Sequence, residues 1–215
     1  MATILTTIMK NIIRITLLSI LAYLPMQASA QGYIKLNAPL ALVGIVNAQA
    51  EFVVSPHSSV AVDFTYSPWK SINGKHSNFG MFIGEYRYYF KQSTHGWYLS
   101  ANAGMMGFDI HRPQLFTGGK IFSRQNEYGK GFSIMTGIGA GWEHHLGEQW
   151  IMDIFLCIDR TWSWYNRYHN DGTIEMHPHG HEHYKHPDPF NGSTEFMPVK
   201  AGVSFGYRIF KPKTR

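Results

Sequence analysis

The chain holds one cysteine, Cys157, in 215 residues. No intramolecular disulfide is therefore possible. Beyond residue 30 no run approaches the ~18 consecutive apolar residues that mark a membrane-crossing helix. Long amphipathic helical stretches are missing as well, so any membrane association must use strands or a surface helix. Charge is sparse: Asp, Glu, Lys and Arg make up 15% of the residues. The formal charge of +5 includes Lys10 and Arg14 and falls to +3 for the chain after residue 30. That excess is too small to argue for a nucleic-acid partner.

Residues 1–30 are expected to be a cleaved secretory signal. Lys10 and Arg14 supply the positive start, Ile15 to Leu24 the apolar core, and Pro25 breaks it. Ala28-Ser29-Ala30 is a small-x-small cleavage site, so the mature chain is expected to begin at Gln31. The apolar core is too short for a spanning helix of ~20 residues. Residues 31–215 are enough for one domain.

This part divides into eight strand-like runs, near 33–40, 46–54, 59–67, 79–90, 97–108, 131–143, 149–162 and 197–210. Apolar and polar residues alternate within them with period two. In the third run Val60, Val62, Phe64 and Tyr66 oppose Ser59, Ala61, Asp63 and Thr65. In the seventh, Trp150, Met152, Ile154, Leu156 and Ile158 oppose Asp153, Cys157 and Asp159. In the last, Val199, Ala201, Val203, Phe205, Tyr207 and Ile209 oppose Lys200, Gly202, Ser204, Gly206 and Arg208.

Alternation alone does not say which face is outside. A soluble barrel buries its apolar face, and a membrane barrel turns it to lipid. Three features favour lipid. The polar faces are rich in Gly, Ala, Ser and Asn instead of the Lys and Glu of a solvated surface. Aromatic residues gather near run ends, among them Tyr66, Trp69, Tyr88, Tyr89, Phe90, Trp97, Tyr98, Trp142, Trp150, Trp162, Trp164, Tyr165 and Phe210, as interfacial girdles require. Connections after runs two, four and six are short, and those after three, five and seven are long. That bias fits periplasmic turns on one side and extracellular loops on the other. The expected fold class is all-β: an eight-stranded antiparallel up-and-down transmembrane β-barrel, monomeric, in the outer membrane of a Gram-negative bacterium.

In such a barrel the polar faces meet inside. They bring together Lys35, Glu51, Asp63, Glu85, Arg87, Glu143, Asp153, Asp159, Lys200 and Arg208. Eight strands leave an interior that side chains just fill, and buried charges must pair. The expectation is an ion-pair network plugging the barrel, not a wide pore. Asp153 and Asp159 lie about 20 Å apart along one strand, too far to share a substrate atom. Arg87, Lys200 or Arg208 are their expected counter-ions.

The stretch 166–195, before the last strand, is His-rich. His177, His179, His181, His183 and His186 fall within ten residues, a composition able to hold Zn²⁺, Ni²⁺ or Cu²⁺. The alternative is a polar, low-complexity loop, or a surface that titrates near pH 6.5. A metal-binding surface protein is therefore one alternative function. Another is an outer-membrane lipid-modifying enzyme, since His111, His169 and several serines lie in or near long connections. No GxSxG elbow and no HExxH helix accompany them, so no catalytic residue is assigned. Gly137-Ile138-Gly139-Ala140-Gly141 lies in a period-two strand with no helix after it, which fits a packed wall better than a nucleotide loop.

Lys35-Leu36-Asn37, Glu85-Tyr86-Arg87-Tyr88-Tyr89-Phe90, Gly137 to Trp142 and Pro198-Val199-Lys200-Ala201-Gly202-Val203-Ser204 carry a resemblance. They resemble an outer-membrane β-barrel family of unknown function common in Bacteroides-type bacteria. Members of that family often resemble parts of fimbrial or surface-assembly loci. The resemblance covers nearly all of the chain after residue 30, except that the His-rich stretch departs from it. It implies no catalytic residues and no cofactor. Lys200 to Tyr207 also resembles the signal read by the barrel-assembly machinery, with a short basic tail, Lys211 to Arg215, behind it. Expected partners are outer-membrane lipid, that machinery during insertion, and a surface or fimbrial protein.

Overall fold

The computed structural model describes residues 31–70, 76–111, 127–169, 171–173 and 195–210. The His-rich run 177–186, residues 1–30 and the basic tail lie outside them. The elements are β1 (Gly32–Asn37), α1 (Ala38–Leu42), β2 (Val46–Ser55), β3 (Ser58–Ser67), β4 (Ser77–Tyr89), β5 (Gly96–Ile110), β6 (Glu127–His145), β7 (Trp150–His169) and β8 (Glu195–Phe210). Each strand pairs antiparallel with the next, and β8 pairs with β1, so the sheet closes into a barrel in simple sequence order. Closure removes the open edges of the sheet along the paired stretch, Ser204 to Phe210 of β8 against β1.

At the seam Lys35 pairs with Gly206 and Ile34 with Tyr207. A Cβ on Gly206 would sit 2.8 Å from Lys35 Cγ. The glycine thus clears the space through which the Lys35 side chain turns inward.

The first strand is shorter than its alternation implies, and residues 38–42 form α1 instead. Asn37 caps that helix: its Oδ1 accepts from the Leu40 N–H at 3.2 Å. Pro39 lies in the first turn, where a missing N–H costs nothing. In contrast, β6 and β7 run to 19 and 20 residues, beyond the ~9–11 that a tilted strand needs to cross a bilayer.

β8 departs from a single alternation. Cys157 pairs with Lys200 but Ile158 pairs with Pro198, so Val199 is an extra residue in a bulge. Below the bulge Phe205, Tyr207 and Ile209 face out, as read from the sequence. Above it the phase reverses. Phe196 faces out, while Val199 packs against the buried group Met81, Ile83 and Met135. Pro198 has no N–H to give the ladder, and a bulge is one of the few sheet positions that tolerates this.

The polarity of the barrel is inverted relative to a water-soluble one. Lys35, Glu51, Asp63, Glu85, Arg87, Glu143, Asp153, Asp159 and Lys200 are buried inside. Val62, Phe64, Phe82, Leu99, Ile154, Leu156 and Ile158 are exposed outside, and Ile138 leaves 73% of its surface bare. Burying one such side chain is worth about 1.5–3 kcal/mol. Left in water, this wall would forgo that gain on every strand.

Short connections gather at one end: Pro56-His57, Phe90 to His95, and Leu146 to Gln149. Residues 68–76, 111–126 and 170–194 connect strands at the other end.

Candidate functional site

Alternation turns residues of one parity inward, and closure makes strands that are distant in sequence face one another. Arg87, on β4, is the hub. Its Nη1 donates to Glu143 Oε1 at 2.8 Å, Asp153 Oδ2 at 2.8 Å and Glu51 Oε2 at 3.0 Å. Its Nη2 donates to Glu85 Oε2 at 3.1 Å and Gln49 Oε1 at 3.2 Å. The four hydrogens on these two nitrogens are shared among five acceptors, and Nε has no hydrogen-bond partner; an ammonium has only three donors. Lys35 Nζ meets the same three carboxylates, pairing with Glu51 and Glu143 and reaching Asp153 Oδ2 at 3.1 Å.

Two cations therefore face three carboxylates here. Neutral donors add to the coordination, while Glu143 Oε2 has no hydrogen-bond partner. Tyr89 donates to Glu51 Oε1 at 2.7 Å and Tyr98 to Asp153 Oδ1 at 2.9 Å, and Ser59 donates to Glu51. The Arg87 guanidinium lies 4.7 Å from the centre of the Tyr98 ring, within cation–π range. Carboxylate oxygens of Glu51, Glu143 and Asp153 are close enough to hold a metal ion. Lys35 Nζ and Arg87 Nη1 already lie among them and supply the positive charge.

A second group surrounds Lys200. Its Nζ donates to Glu85 Oε2 at 2.8 Å and lies 3.4 Å from Asp63 Oδ2. Asp63 Oδ1 accepts from Asn47 Nδ2 at 3.0 Å and Thr65 Oγ1 at 3.1 Å. The two groups join at Glu85, which touches both Arg87 and Lys200.

Two of the ten interior residues read from the sequence lie outside this network. Arg208 stands at the short-turn end, its Nε donating to the Tyr33 hydroxyl at 3.3 Å. Arg208 pairs with Tyr33 in the same register that sets Gly206 opposite Lys35, so it lies one inward row nearer the strand end and is not a counter-ion for Asp153 or Asp159. Asp159 is buried, but its polar partner is Asn102, whose Nδ2 donates to Oδ1 at 3.1 Å. Conversely, Tyr89 and Tyr98 belong to the interior and not to an outer girdle, and both are fully buried. The parity of Tyr89 with Arg87, and of Tyr98 with Asn102, carries that signal. Gln49 and Asn47, in phase with Glu51, carry it as well.

Above the network Met81, Ile83 and Met135 close the interior with an apolar layer. The glycines of β6 make room for neighbouring side chains: a Cβ on Gly139 would lie 2.5 Å from Cys157 Sγ and 2.6 Å from Ser100 Oγ.

At the long-connection end, His76 Nδ1 lies 2.8 Å from Asp109 Oδ1. Its ring stacks on Tyr128 at 3.9 Å, and Tyr128 stacks on Tyr168 at 5.3 Å. The His76 N–H donates to His111 Nδ1 at 2.7 Å. His76 precedes β4, Asp109 and His111 lie at the end of β5, and Tyr128 and Tyr168 are on β6 and β7, so no local spacing announces them. Nearby, the Thr173 hydroxyl and N–H hold the Asp171 carboxyl below its ordinary range.

Fold and interior together define a class: a closed eight-stranded antiparallel barrel with a charged, hydrogen-bonded filling and an apolar outer wall. The chain belongs to the family described as protein of unknown function (DUF3575), whose model matches residues 14–209. No curated protein and no solved structure matches it.

Proposed function

We propose that the chain is an outer-membrane β-barrel protein, exported by residues 1–30 and cleaved near Ala30, with a structural or surface-interaction role and no catalysis. The observation that carries this reading is the inverted polarity. Charged side chains, most of them ion-paired, fill the inside, while aliphatic and aromatic side chains cover the outside. Lipid is the solvent in which that arrangement is stable.

The dimensions agree. On β7 the outward residues from Trp150 to Ile158 are apolar and Arg160 follows. Nine residues at the usual rise and tilt cover about 23 Å, close to the ~25 Å apolar band of a membrane barrel. Trp97 and Trp150 stand toward the short-turn end of that band, and Trp162 and Trp164 toward the other. The filled interior supports a closed barrel and argues against a wide pore.

The resemblance to outer-membrane barrels of Bacteroides-type bacteria, some in fimbrial or surface-assembly loci, supports a surface or fimbrial protein partner. Such a partner would meet the long connections. The His177–His186 run supports metal binding as the second reading, with Zn²⁺, Ni²⁺ or Cu²⁺ as candidates.

Cell fractionation with protease treatment of intact cells tests the proposal. The expected result is recovery with the outer membrane and cleavage within residues 166–195. Recovery in the soluble periplasm would overturn it.

A further inference from the structure

The described interior holds six buried carboxylates, Glu51, Asp63, Glu85, Glu143, Asp153 and Asp159, against three buried cations, Lys35, Arg87 and Lys200. With every group ionised, the filling carries a formal charge of −3 (three cations less six carboxylates). Among the described residues, Asp159 is the buried carboxylate that no lysine or arginine reaches.

The geometry around Asp159 is specific. Glu85 pairs with Asn102, Asn102 with Gly137, and Gly137 with Asp159. The three side chains therefore share one inward row, and Gly137 leaves the space through which Asn102 reaches Asp159. The Asn102 amide donates to one Asp159 oxygen. Three buried oxygens of this row have no protein partner: Asp159 Oδ2, Asn102 Oδ1 and Glu85 Oε1. Ser100 Oγ, one row away on β5, is likewise unpartnered. Exposure is 0% for Asp159, 7% for Asn102 and 5% for Glu85.

A buried acceptor left without a donor costs about 1–3 kcal/mol, and more when it is charged. Water can satisfy such oxygens, but it does not neutralise the excess charge. A cation does both. We propose that this row is a binding site for a hard, oxygen-preferring metal cation, held by Asp159, Asn102 and Glu85. Oxygen-only donors, two of them carboxylates, match Ca²⁺ or Mg²⁺ completed by water, and do not match a metal that seeks sulfur or imidazole. The site differs from the Glu51–Glu143–Asp153 group, where Lys35 and Arg87 reach all three carboxylates; here Arg87 and Lys200 occupy only the other oxygen of Glu85, and neither reaches Asp159. It also uses none of the histidines of the long connection.

The test uses the full chain, folded in detergent, stripped with a chelator and titrated with CaCl₂ or MgCl₂. One of the two ions should raise the midpoint of thermal unfolding. The shift should vanish in Asp159→Asn. It should need at least about tenfold more ion in Asn102→Ala, the usual scale for losing a group that orients a metal ligand. Asn102→Asp, which adds a carboxylate, should lower the concentration needed and serves if Asp159→Asn does not fold. No shift with either ion would overturn the proposal, with the excess charge then held off by protons. An undiminished shift in Asp159→Asn, or in Asn102→Ala, would overturn it as well, by placing the ion elsewhere. Insertion of the unsubstituted chain into vesicles is unaffected by any of these outcomes, so the membrane reading stands or falls separately.

Discussion

Arg87 and Asp153 lie on β4 and β7, 66 residues apart in the chain, yet Arg87 Nη1 is 2.8 Å from Asp153 Oδ2 with both side chains wholly buried. The contact ties one wall of the barrel to another through its filling. Glu51 and Glu143, on β2 and β6, meet the same nitrogen. One guanidinium thus fastens four strands.

Arg87→Met should be the most damaging single change in the interior. It strips Glu51, Glu85, Glu143 and Asp153 of a shared counter-ion and leaves them buried. Breaking a buried pair in this way costs about 3–5 kcal/mol. Urea unfolding of the protein in detergent should register that loss. Arg208→Met, at the barrel end and outside the network, should change the same midpoint far less.

The outer wall carries a sharper test of its solvent. Ile154 lies in the middle of the apolar band and faces out. In lipid, Ile154→Arg should cost about 2–4 kcal/mol, while Leu146→Arg, in the short turn beyond the band, should cost about 0–1. Refolding into vesicles measures both. On a water-facing wall the arginine at 154 would be harmless.

Gly139→Val should destabilise by about 1–3 kcal/mol through overpacking, since Cys157 and Ser100 occupy the space its side chain needs. Gly107→Val meets open space, with nothing within 4 Å of the added Cβ. Comparing the two unfolding midpoints checks whether the glycines of β6 serve packing.

Cys157 is 2% exposed and faces the filling. A maleimide should leave it unmodified in the folded barrel and label it fully once the protein is unfolded in denaturant. Rapid labelling of the folded form would mean that the interior is open to solvent.

The fold was legible because period-two alternation is a local signal and eight consecutive runs carry it. The filling was legible for the same reason: Lys35, Glu51, Glu85, Arg87, Glu143 and Asp153 each oppose an apolar neighbour. Failures arose where a single residue breaks the phase. The bulge at Val199 flips the face of Phe196 and Pro198, and nothing in their identities signals it. Arg208 lies beside Tyr33 near the strand end; alternation gives a residue's face and not its height in the barrel. Tyr89 and Tyr98 sit close to strand ends, where an aromatic suits a girdle equally well. Their parity with charged or amide neighbours was the better guide. Asp159 was misassigned because partner choice depends on reach across three strands, here over the bare surface of Gly137. The His76–Asp109–Tyr128–Tyr168 stack had no signal at all, because it forms only when β4, β5, β6 and β7 extend together past the apolar band.

The most direct test of a lipid-facing outer wall is tryptophan quenching in bilayers. The protein is folded into vesicles whose lipids carry bromine either near the headgroup or near the chain end. Trp97, Trp150, Trp162 and Trp164 stand toward the edges of the apolar band and Trp142 lies beside Ile154, so quenching should be strong with bromine near the headgroup and weaker with bromine at the chain end. Tryptophan emission unchanged by bromine at either depth would contradict the membrane barrel.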